Sequence, residues 1–131
     1  MPKLTSIDHV QLAIPRGGEE AARAMFVGLL GLAEVPKPES LQKRGGCWFK
    51  GEHVFVHCGV DPNFQPATKA HIAFRVDDLD ALAAALAAAG QQVVWDEELA
   101  DEKRFYATDP FGNRLEFMAE RGAGASQHAQ P

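Results

Sequence analysis

Two segments of similar pattern, DHVQLAI (residues 8–14) and AHIAFRV (residues 70–76), determine how the chain is expected to fold. In each segment apolar residues occupy every second position, which is typical of a β-strand with one buried face. A histidine, His9 or His71, stands at the start of each segment, out of phase with the apolar residues. Because side chains alternate between the two faces of a strand, both imidazoles are expected on the polar face. The repetition indicates a duplicated unit with a polar site shared between its two copies.

The elements that follow the two segments are predicted to come in the same order. In the first half, a helix over residues 19–30 and a short strand over 32–35 precede a loop over 39–46 and a pair of strands over 47–50 and 53–58. In the second half, Asp77-Asp78 caps an alanine-rich helix, and the strands that follow it span residues 92–95, 103–107 and 114–118. The sequence therefore predicts a series of one strand, one helix and three strands that occurs twice along the chain.

Composition and charge limit the class of protein. The 131 residues suit one domain, and 46% hydrophobic with 24% charged residues is ordinary for a globular chain. A net charge of -5 argues against a nucleic-acid partner or an anionic membrane surface. With no apolar targeting segment or membrane span in the sequence, and two cysteines that form neither a disulfide framework nor a zinc spacing, we expect a cytoplasmic protein. The predicted domain covers residues 1–121, and we expect residues 122–131 to form a disordered tail.

The alternation of side chains places further polar residues on the face of the two histidines. In the last strand the apolar residues are out of phase with Arg114 and Glu116, which are therefore expected on the polar face. In the last strand of the first half, the same reasoning leaves His53, Phe55 and His57 opposite the apolar set. The helix-free face is thus predicted to carry four potential ligands, one from the first and one from the last strand of each repeat: His9, His57, His71 and Glu116.

This set of side chains has the chemistry of a metal site. Two imidazoles and one carboxylate with open positions are ligands that a divalent first-row metal prefers, so His9, His71 and Glu116 are predicted metal ligands. Such an ion can polarise a substrate oxygen, orient a bidentate substrate or lower the pKa of a bound water. The alternative for each histidine is an ordinary surface position, and it applies most to His57, since His53 shares its face.

Four motifs of the sequence are DHV (8–10), GLLGL (28–32), AHIAF (70–74) and DPFGNRLEF (109–117). They resemble those of the vicinal oxygen chelate superfamily, which includes glyoxalase I, fosfomycin-resistance thiol transferases, extradiol dioxygenases and bleomycin-resistance proteins. The resemblance covers roughly residues 4–120. It implies an α+β fold of two βαβββ modules, residues 4–60 and 68–120, which form a curved eight-stranded mixed sheet around a cleft with the helices on the outer face.

The same resemblance implies roles for the polar residues. His9, His71 and Glu116 match the two-histidine, one-glutamate ligand set of the superfamily. His57 lies where glyoxalase I-like members place a fourth ligand, usually glutamate or glutamine, so a histidine there is a departure. Glu116 and His57 are also the candidate catalytic groups. Because members are commonly dimers, we expect a homodimer.

Other residues are candidates for binding a substrate. Arg114 and Arg75 are expected on the cleft face, where either could recognise a carboxylate or phosphonate, and the alternative is an arginine at the rim. Tyr106 could face the cleft and assist an acid–base step, but a packed aromatic ring is the favoured explanation. Phe55 could form an apolar wall for the substrate or belong to the core.

The first functional hypothesis is therefore a glyoxalase-like metalloenzyme with one divalent ion (Mn, Fe, Co, Ni or Zn) that chelates a small oxygenated substrate. Lyase or isomerase chemistry and thiol transfer both suit a single pair of modules, whereas ring-cleaving dioxygenases more often use two pairs. The second hypothesis is a metal-free protein that binds a drug or metabolite, as bleomycin-resistance proteins do. A non-catalytic regulatory module is a third. The metal content of the purified protein distinguishes the first two.

Overall fold

The structure is a computed structural model that describes residues 1–98 and 102–121. It divides into two compact units, which we call unit 1 (Met1–Pro66) and unit 2 (from Ala67 onward). The predicted tail, residues 122–131, lies outside the described residues. Within the described part of the chain, no helix has the length and apolar character needed to cross a membrane.

Each unit contains the predicted series of one strand, one helix and three strands. The elements of unit 1 are β1 (Val10–Ile14), α1 (Glu19–Arg23), β2 (Ala33–Val35), β3 (Cys47–Lys50) and β4 (Phe55–Val60). Those of unit 2 are β5 (Ile72–Val76), α2 (Leu79–Ala88), β6 (Val94–Asp96), β7 (Arg104–Thr108) and β8 (Arg114–Ala119).

The two units have the same strand topology. The strand orders are β1-β4-β3-β2 and β5-β8-β7-β6. In each unit the first strand pairs with the last in parallel, and the other pairs are antiparallel. The predicted α+β fold of two βαβββ modules is thus confirmed, with its eight strands divided between two four-stranded mixed sheets.

The first helix differs from the regular helix predicted over residues 19–30. After α1 the chain continues as a π-helix over Ala24–Leu29, in which the Leu30 N–H donates to the Met25 carbonyl at 2.9 Å. The wider turn directs both Met25 and the neighbouring Phe26 into the core, where each is at most 1% exposed. Gly31 then ends the helix in a positive-φ conformation, with φ of 74°.

The segment predicted as a loop over residues 39–46 contains a short helix. A 3₁₀-helix spans Glu39–Arg44 and begins with the Leu41 N–H donating to the Pro38 carbonyl at 2.8 Å. Gly45 and Gly46 end it with φ values of 73° and 86°. The helix therefore lies between a proline, which favours a helix start, and glycines, which allow the left-handed backbone that ends one.

The core of each unit lies on the face of its sheet that carries the apolar set. The alternating strand residues and the inner face of each helix supply it. Unit 1 buries Ile14, Ala22, Phe26, Phe49, Val56 and the two free cysteines, Cys47 and Cys58; unit 2 buries Leu79, Leu86, Phe105, Leu115 and Phe117. The opposite face of each sheet is consequently left to the polar residues singled out above.

Candidate functional site

In unit 2, His71 and Glu116 form a direct contact. His71 immediately precedes β5, and Glu116 lies in the parallel partner strand β8, opposite Ala73. The His71 Nε2 atom lies 2.9 Å from Glu116 Oε1, and its Nδ1 lies 2.9 Å from the carbonyl of Lys69. A carbonyl only accepts, so Nδ1 carries a proton and Nε2 is the ring nitrogen that faces the carboxylate. The Glu116 side chain is only 6% exposed, whereas that of His71 is 26% exposed, so the carboxylate is buried and the imidazole remains partly open to solvent.

Arg104 holds the other side of the Glu116 carboxylate. Its Nη1 donates to Glu116 Oε2 at 3.1 Å, and its Nη2 donates to Asp96 Oδ2 at 2.7 Å. Burial lowers the pKa of Arg104, but the bond to Asp96 and the charge of Glu116 outweigh burial, so its pKa is raised. The pKa of Asp96 is lowered, first by the Glu98 backbone N–H and then by Arg104. Sequence reasoning missed this role of Arg104, although its spacing from Tyr106 indicated a shared face.

Arg114 and Tyr106 form a stacked pair beside these charges. The Arg114 guanidinium carbon lies 4.0 Å from the centre of the Tyr106 ring. Tyr106 is the register partner of Glu116 and meets the His71 ring edge-on at 5.8 Å. The Arg114 guanidinium makes no hydrogen bond or ion pair with any described residue, so it is available to a ligand.

Arg75, in contrast, is held within the protein. It lies on the same face of the sheet as His71, and its Nη1 donates to the carbonyl of Ala119 at 2.8 Å. The guanidinium also contacts the buried carboxylate of Glu102 at 3.3 and 3.4 Å. Of the two arginines considered for substrate binding, only Arg114 has an uncommitted guanidinium in this arrangement.

In unit 1, three aromatic rings stack across the polar face of the sheet. The Trp48 and His57 rings lie 4.0 Å apart with a 4° angle between their planes, and the His57 and His9 rings lie 3.9 Å apart at 18°. Trp48 and His57 are cross-strand partners on β3 and β4. His9 Nδ1 also contacts Asp8 Oδ2 at 2.9 Å. Burial, followed by the charge of His9, lowers the pKa of His57.

This stacking limits how the two histidines could act together. The lone pairs of an imidazole lie in the plane of its ring, so nearly parallel rings point their nitrogens along nearly parallel lines. A metal with nitrogen ligands at about 2.1 Å needs those lines to converge. His9 and His57 therefore cannot both bind one ion unless one ring leaves the stack.

His53 precedes β4 and is exposed, and Phe55 is 44% exposed.

The two units place equivalent residues at equivalent points of their sheets. His9 precedes Val10, which pairs with Val56, and His71 precedes Ile72, which pairs with Leu115. His57 follows Val56 on β4, and Glu116 follows Leu115 on β8. Each of these two candidate ligands is the cross-strand partner of an aromatic residue on the third strand of its unit. The corresponding sets are His9, His57 and Trp48 in unit 1, and His71, Glu116 and Tyr106 in unit 2.

Unit 1 also contains an open groove of about 710 Å³. The stacked rings form part of its wall, together with charged and apolar side chains from β2, the 3₁₀-helix and the ends of β3 and β4. Its lining includes Asp8, His9, Val35, Lys37, Leu41, Arg44, Trp48, Lys50, Phe55 and His57. A groove of this size suits a small organic molecule.

Each unit thus brings together two of the four predicted metal ligands, His9 with His57 and His71 with Glu116. Among residues 1–98 and 102–121, no group of three or more histidine, cysteine, aspartate or glutamate side chains is arranged to hold a metal ion.

Comparison with solved structures identifies close fold relatives. A crystal structure of a Bacillus anthracis protein assigned to the glyoxalase family is 48% identical, with a TM-score of 0.86 over 92% of this chain and 99% of that one. A mutant of the fosfomycin resistance protein FosX from Listeria monocytogenes, complexed with Mn(II) and 1S,2S-dihydroxypropylphosphonic acid, gives 18% identity and a TM-score of 0.75 over 89% and 93%. A glyoxalase/dioxygenase from Nostoc punctiforme is 17% identical, with a TM-score of 0.68 over 86% of this chain and 90% of that one.

The comparison with curated proteins returns no significant match. The family model of the glyoxalase/bleomycin resistance protein/dioxygenase superfamily matches residues 6–117, which include all four predicted ligands and both groups of stacked or paired side chains. With that match and the paired βαβββ units, the chain belongs to this superfamily, whose fold is that of the vicinal oxygen chelate proteins.

Proposed function

We propose that the protein is a glyoxalase-type metalloenzyme that binds one divalent ion through His9, His71 and Glu116 and acts on a small oxygenated substrate. The observation that carries the proposal is the contact of 2.9 Å between His71 Nε2 and the buried carboxylate of Glu116. His9 occupies the register-equivalent position in unit 1. The Mn(II) in the FosX relative supports a divalent metal within this fold.

The residues fit such an ion in their chemistry. The hydrogen bond from His71 Nδ1 to the Lys69 carbonyl leaves Nε2 as the ligand atom, and metal-bound histidines usually have a partner of this kind on the second nitrogen. Arg104 fixes the orientation of the Glu116 carboxylate. When bound, a divalent ion would supply Lewis acidity and a lowered pKa for a coordinated water.

The other side chains would bind and orient the substrate. The guanidinium of Arg114 stacks on the Tyr106 ring, and its N–H groups are placed to bind an anionic group. Phe55 offers an exposed apolar surface. Glu116 and His57 are the candidates for moving a proton, in keeping with lyase, isomerase or thiol-transfer chemistry.

Metal content tests the proposal directly. Protein prepared without an affinity tag or chelator is expected to contain one divalent ion per chain by elemental analysis. His71→Ala and Glu116→Gln should each lose the ion, whereas His53→Ala, which removes an exposed histidine outside the predicted set, should keep it. Circular dichroism confirms that each variant is folded. Metal retained in folded His71→Ala protein would contradict the proposal.

One observation favours the metal-free alternative of a small-molecule or drug-binding protein. Both carboxylate oxygens of Glu116 already have partners, His71 and Arg104, so the group is satisfied without an ion. If this function is correct, ligand binding should be unchanged by a chelator and the purified protein should hold no stoichiometric metal.

We further propose that the protein acts as a homodimer, as the resemblance to the superfamily implies. Light scattering coupled to size-exclusion chromatography gives the mass in solution. The expected mass is twice the 14.2 kDa of the chain. A mass of 14.2 kDa at all concentrations would exclude the dimer.

A further inference from the structure

The charge of the groove in unit 1 is opposite to that of the whole protein. The chain has a net charge of -5. Three cationic side chains, those of Lys37, Arg44 and Lys50, line the groove. Among the described residues that line it, the only carboxylate belongs to Asp8, which is paired with His9. A concave surface with a local excess of positive charge concentrates anions from solution.

The three cations come from different elements around the groove. Lys37 follows β2 and its ammonium donates to the Gly45 carbonyl, and its charge also contributes to lowering the pKa of His57. Arg44 ends the 3₁₀-helix, and Lys50 ends β3. Neither Arg44 nor Lys50 makes a side-chain hydrogen bond or ion pair with any residue among 1–98 and 102–121. Both charged groups are therefore free to bind a ligand.

Apolar surface accompanies these charges. Trp48 forms the end of the ring stack, and its other cross-strand neighbour, Val35, also lines the groove. Phe55, opposite Lys50 on the next strand, is 44% exposed and adds apolar surface to the groove. A ligand that carries both an anionic group and a flat apolar part would satisfy the two kinds of surface together.

We propose that the groove binds a small organic anion, a carboxylate, phosphonate or phosphate attached to an aromatic or similarly planar body. Lys37, Arg44 and Lys50 bind the anionic group, and Trp48 and Phe55 contact the planar part. The identification of this ligand as the substrate rests on the function proposed above, but the groove itself lies within unit 1. Its binding can therefore be measured without metal.

Phenylphosphonate is a suitable probe, with its uncharged diethyl ester as the matched neutral compound. Chelator-treated full-length Trp95→Phe protein leaves Trp48 as the fluorophore. Phenylphosphonate is expected to change Trp48 emission saturably, with about tenfold or greater weakening for the ester because the charged contacts are lost. Raising the salt concentration should also weaken the binding of the anion.

Single substitutions locate the binding. Lys37→Gln, Arg44→Gln and Lys50→Gln should each weaken phenylphosphonate binding about threefold to tenfold. Arg16→Gln removes one positive charge from an exposed turn of the same unit outside the groove, and it should leave binding unchanged.

Two results would overturn the proposal: equal binding of the anion and its ester, or equal weakening by Arg16→Gln and the groove substitutions. The outcome is separate from that of the metal analysis. If protein prepared without chelator contains no metal and the chelator-treated protein binds the anion, the metalloenzyme is rejected and the groove is retained. A metalloprotein that does not bind the anion would reject the groove alone.

Discussion

At the scale of single residues, strand alternation identified which face each polar side chain occupies, but not which partners it meets. His71 and Glu116 were both expected on the helix-free face, and the structure brings them within 2.9 Å. The pairing of Arg104 with Glu116 and the stacking of Trp48 on His57 depend on register. A period-two pattern contains no information about register, because any even shift preserves the faces.

Arg104 is expected to control metal binding through the orientation of Glu116. Arg104→Met removes both its bonds and should weaken the affinity for a divalent ion by about tenfold or more, as loss of a partner behind a metal ligand commonly does. Lys103→Met is the control, because Lys103 precedes it in sequence and pairs on the surface with Asp80. Isothermal titration of the chelator-treated proteins measures both affinities. Equal affinities would show that Arg104 has only a structural role.

Gly46 is expected to tolerate no side chain. An added Cβ would lie 2.2 Å from the Cys58 carbonyl oxygen, and φ is +86°. Gly17 has a similar φ of +83° but nothing within 4 Å of an added Cβ. Gly17→Ala should therefore cost about 1 kcal/mol of unfolding free energy from backbone strain, and Gly46→Ala about 3 kcal/mol or more because the clash adds to it. Urea unfolding of the two variants measures the difference, and equal losses would contradict the close approach of Cys58 to Gly46.

At the scale of secondary structure, the sequence pattern predicted all eight strands because alternation and turn residues mark them clearly. It missed the π-helix over Ala24–Leu29 and the 3₁₀-helix over Glu39–Arg44. The apolar spacing over residues 19–30 is compatible with a regular helix, so only the packing of Met25 beside Phe26 reveals the wider turn. The short helix lies in a polar segment in which local hydrogen bonds, rather than hydrophobic periodicity, determine the conformation.

The start of α1 is tied to the end of the 3₁₀-helix by Glu19, whose Oε2 accepts from the Gly46 N–H at 2.7 Å. This hydrogen bond is the main reason that the pKa of Glu19 is below its ordinary value of 4.5. A carboxyl whose pKa is lower in the folded state stabilises the fold above its unfolded pKa. That stability is lost as the pH falls from about 4.5 through the lower folded value.

Glu19→Gln is therefore expected to be less stable than the parent at neutral pH and to approach it in stability below the folded pKa of Glu19. Glu20→Gln removes the neighbouring exposed carboxylate and serves as the control. Urea unfolding across this pH range provides the comparison. A difference between Glu19→Gln and the parent that does not change with pH would contradict a role for the carboxylate charge.

At the scale of the whole molecule, the chain consists of two units with one topology, and the four predicted ligands are divided equally between them. Duplication was evident from the two histidine segments, and it predicted the same series of one strand, one helix and three strands in both halves. The distances between the candidate ligands within each unit could not be read from the sequence, since each strand pattern identifies a face and not a distance.

If an ion binds as proposed, through His9, His71 and Glu116, it should stabilise the chain only when these side chains are intact. Addition of the metal that elemental analysis identifies should raise the midpoint temperature of unfolding for the parent and for His53→Ala. An ion that binds the folded state stabilises it by mass action. His9→Ala and His71→Ala should show no increase, although the two histidines belong to different units. An undiminished increase in either variant would show that the ion binds within the other unit alone.

The close approach at Gly46 has a consequence for the history of the two halves. Gly46 stands two residues before Trp48, as Arg104 stands two residues before Tyr106, so the two are counterparts in the repeat. The Cys58 carbonyl leaves no space for a side chain at Gly46. The first half therefore cannot carry a counterpart of Arg104, the cation that donates to the Glu116 carboxylate in the second half. A chimera built from two copies of the first half would lack that cation, so the two halves are not interchangeable although their topology is the same.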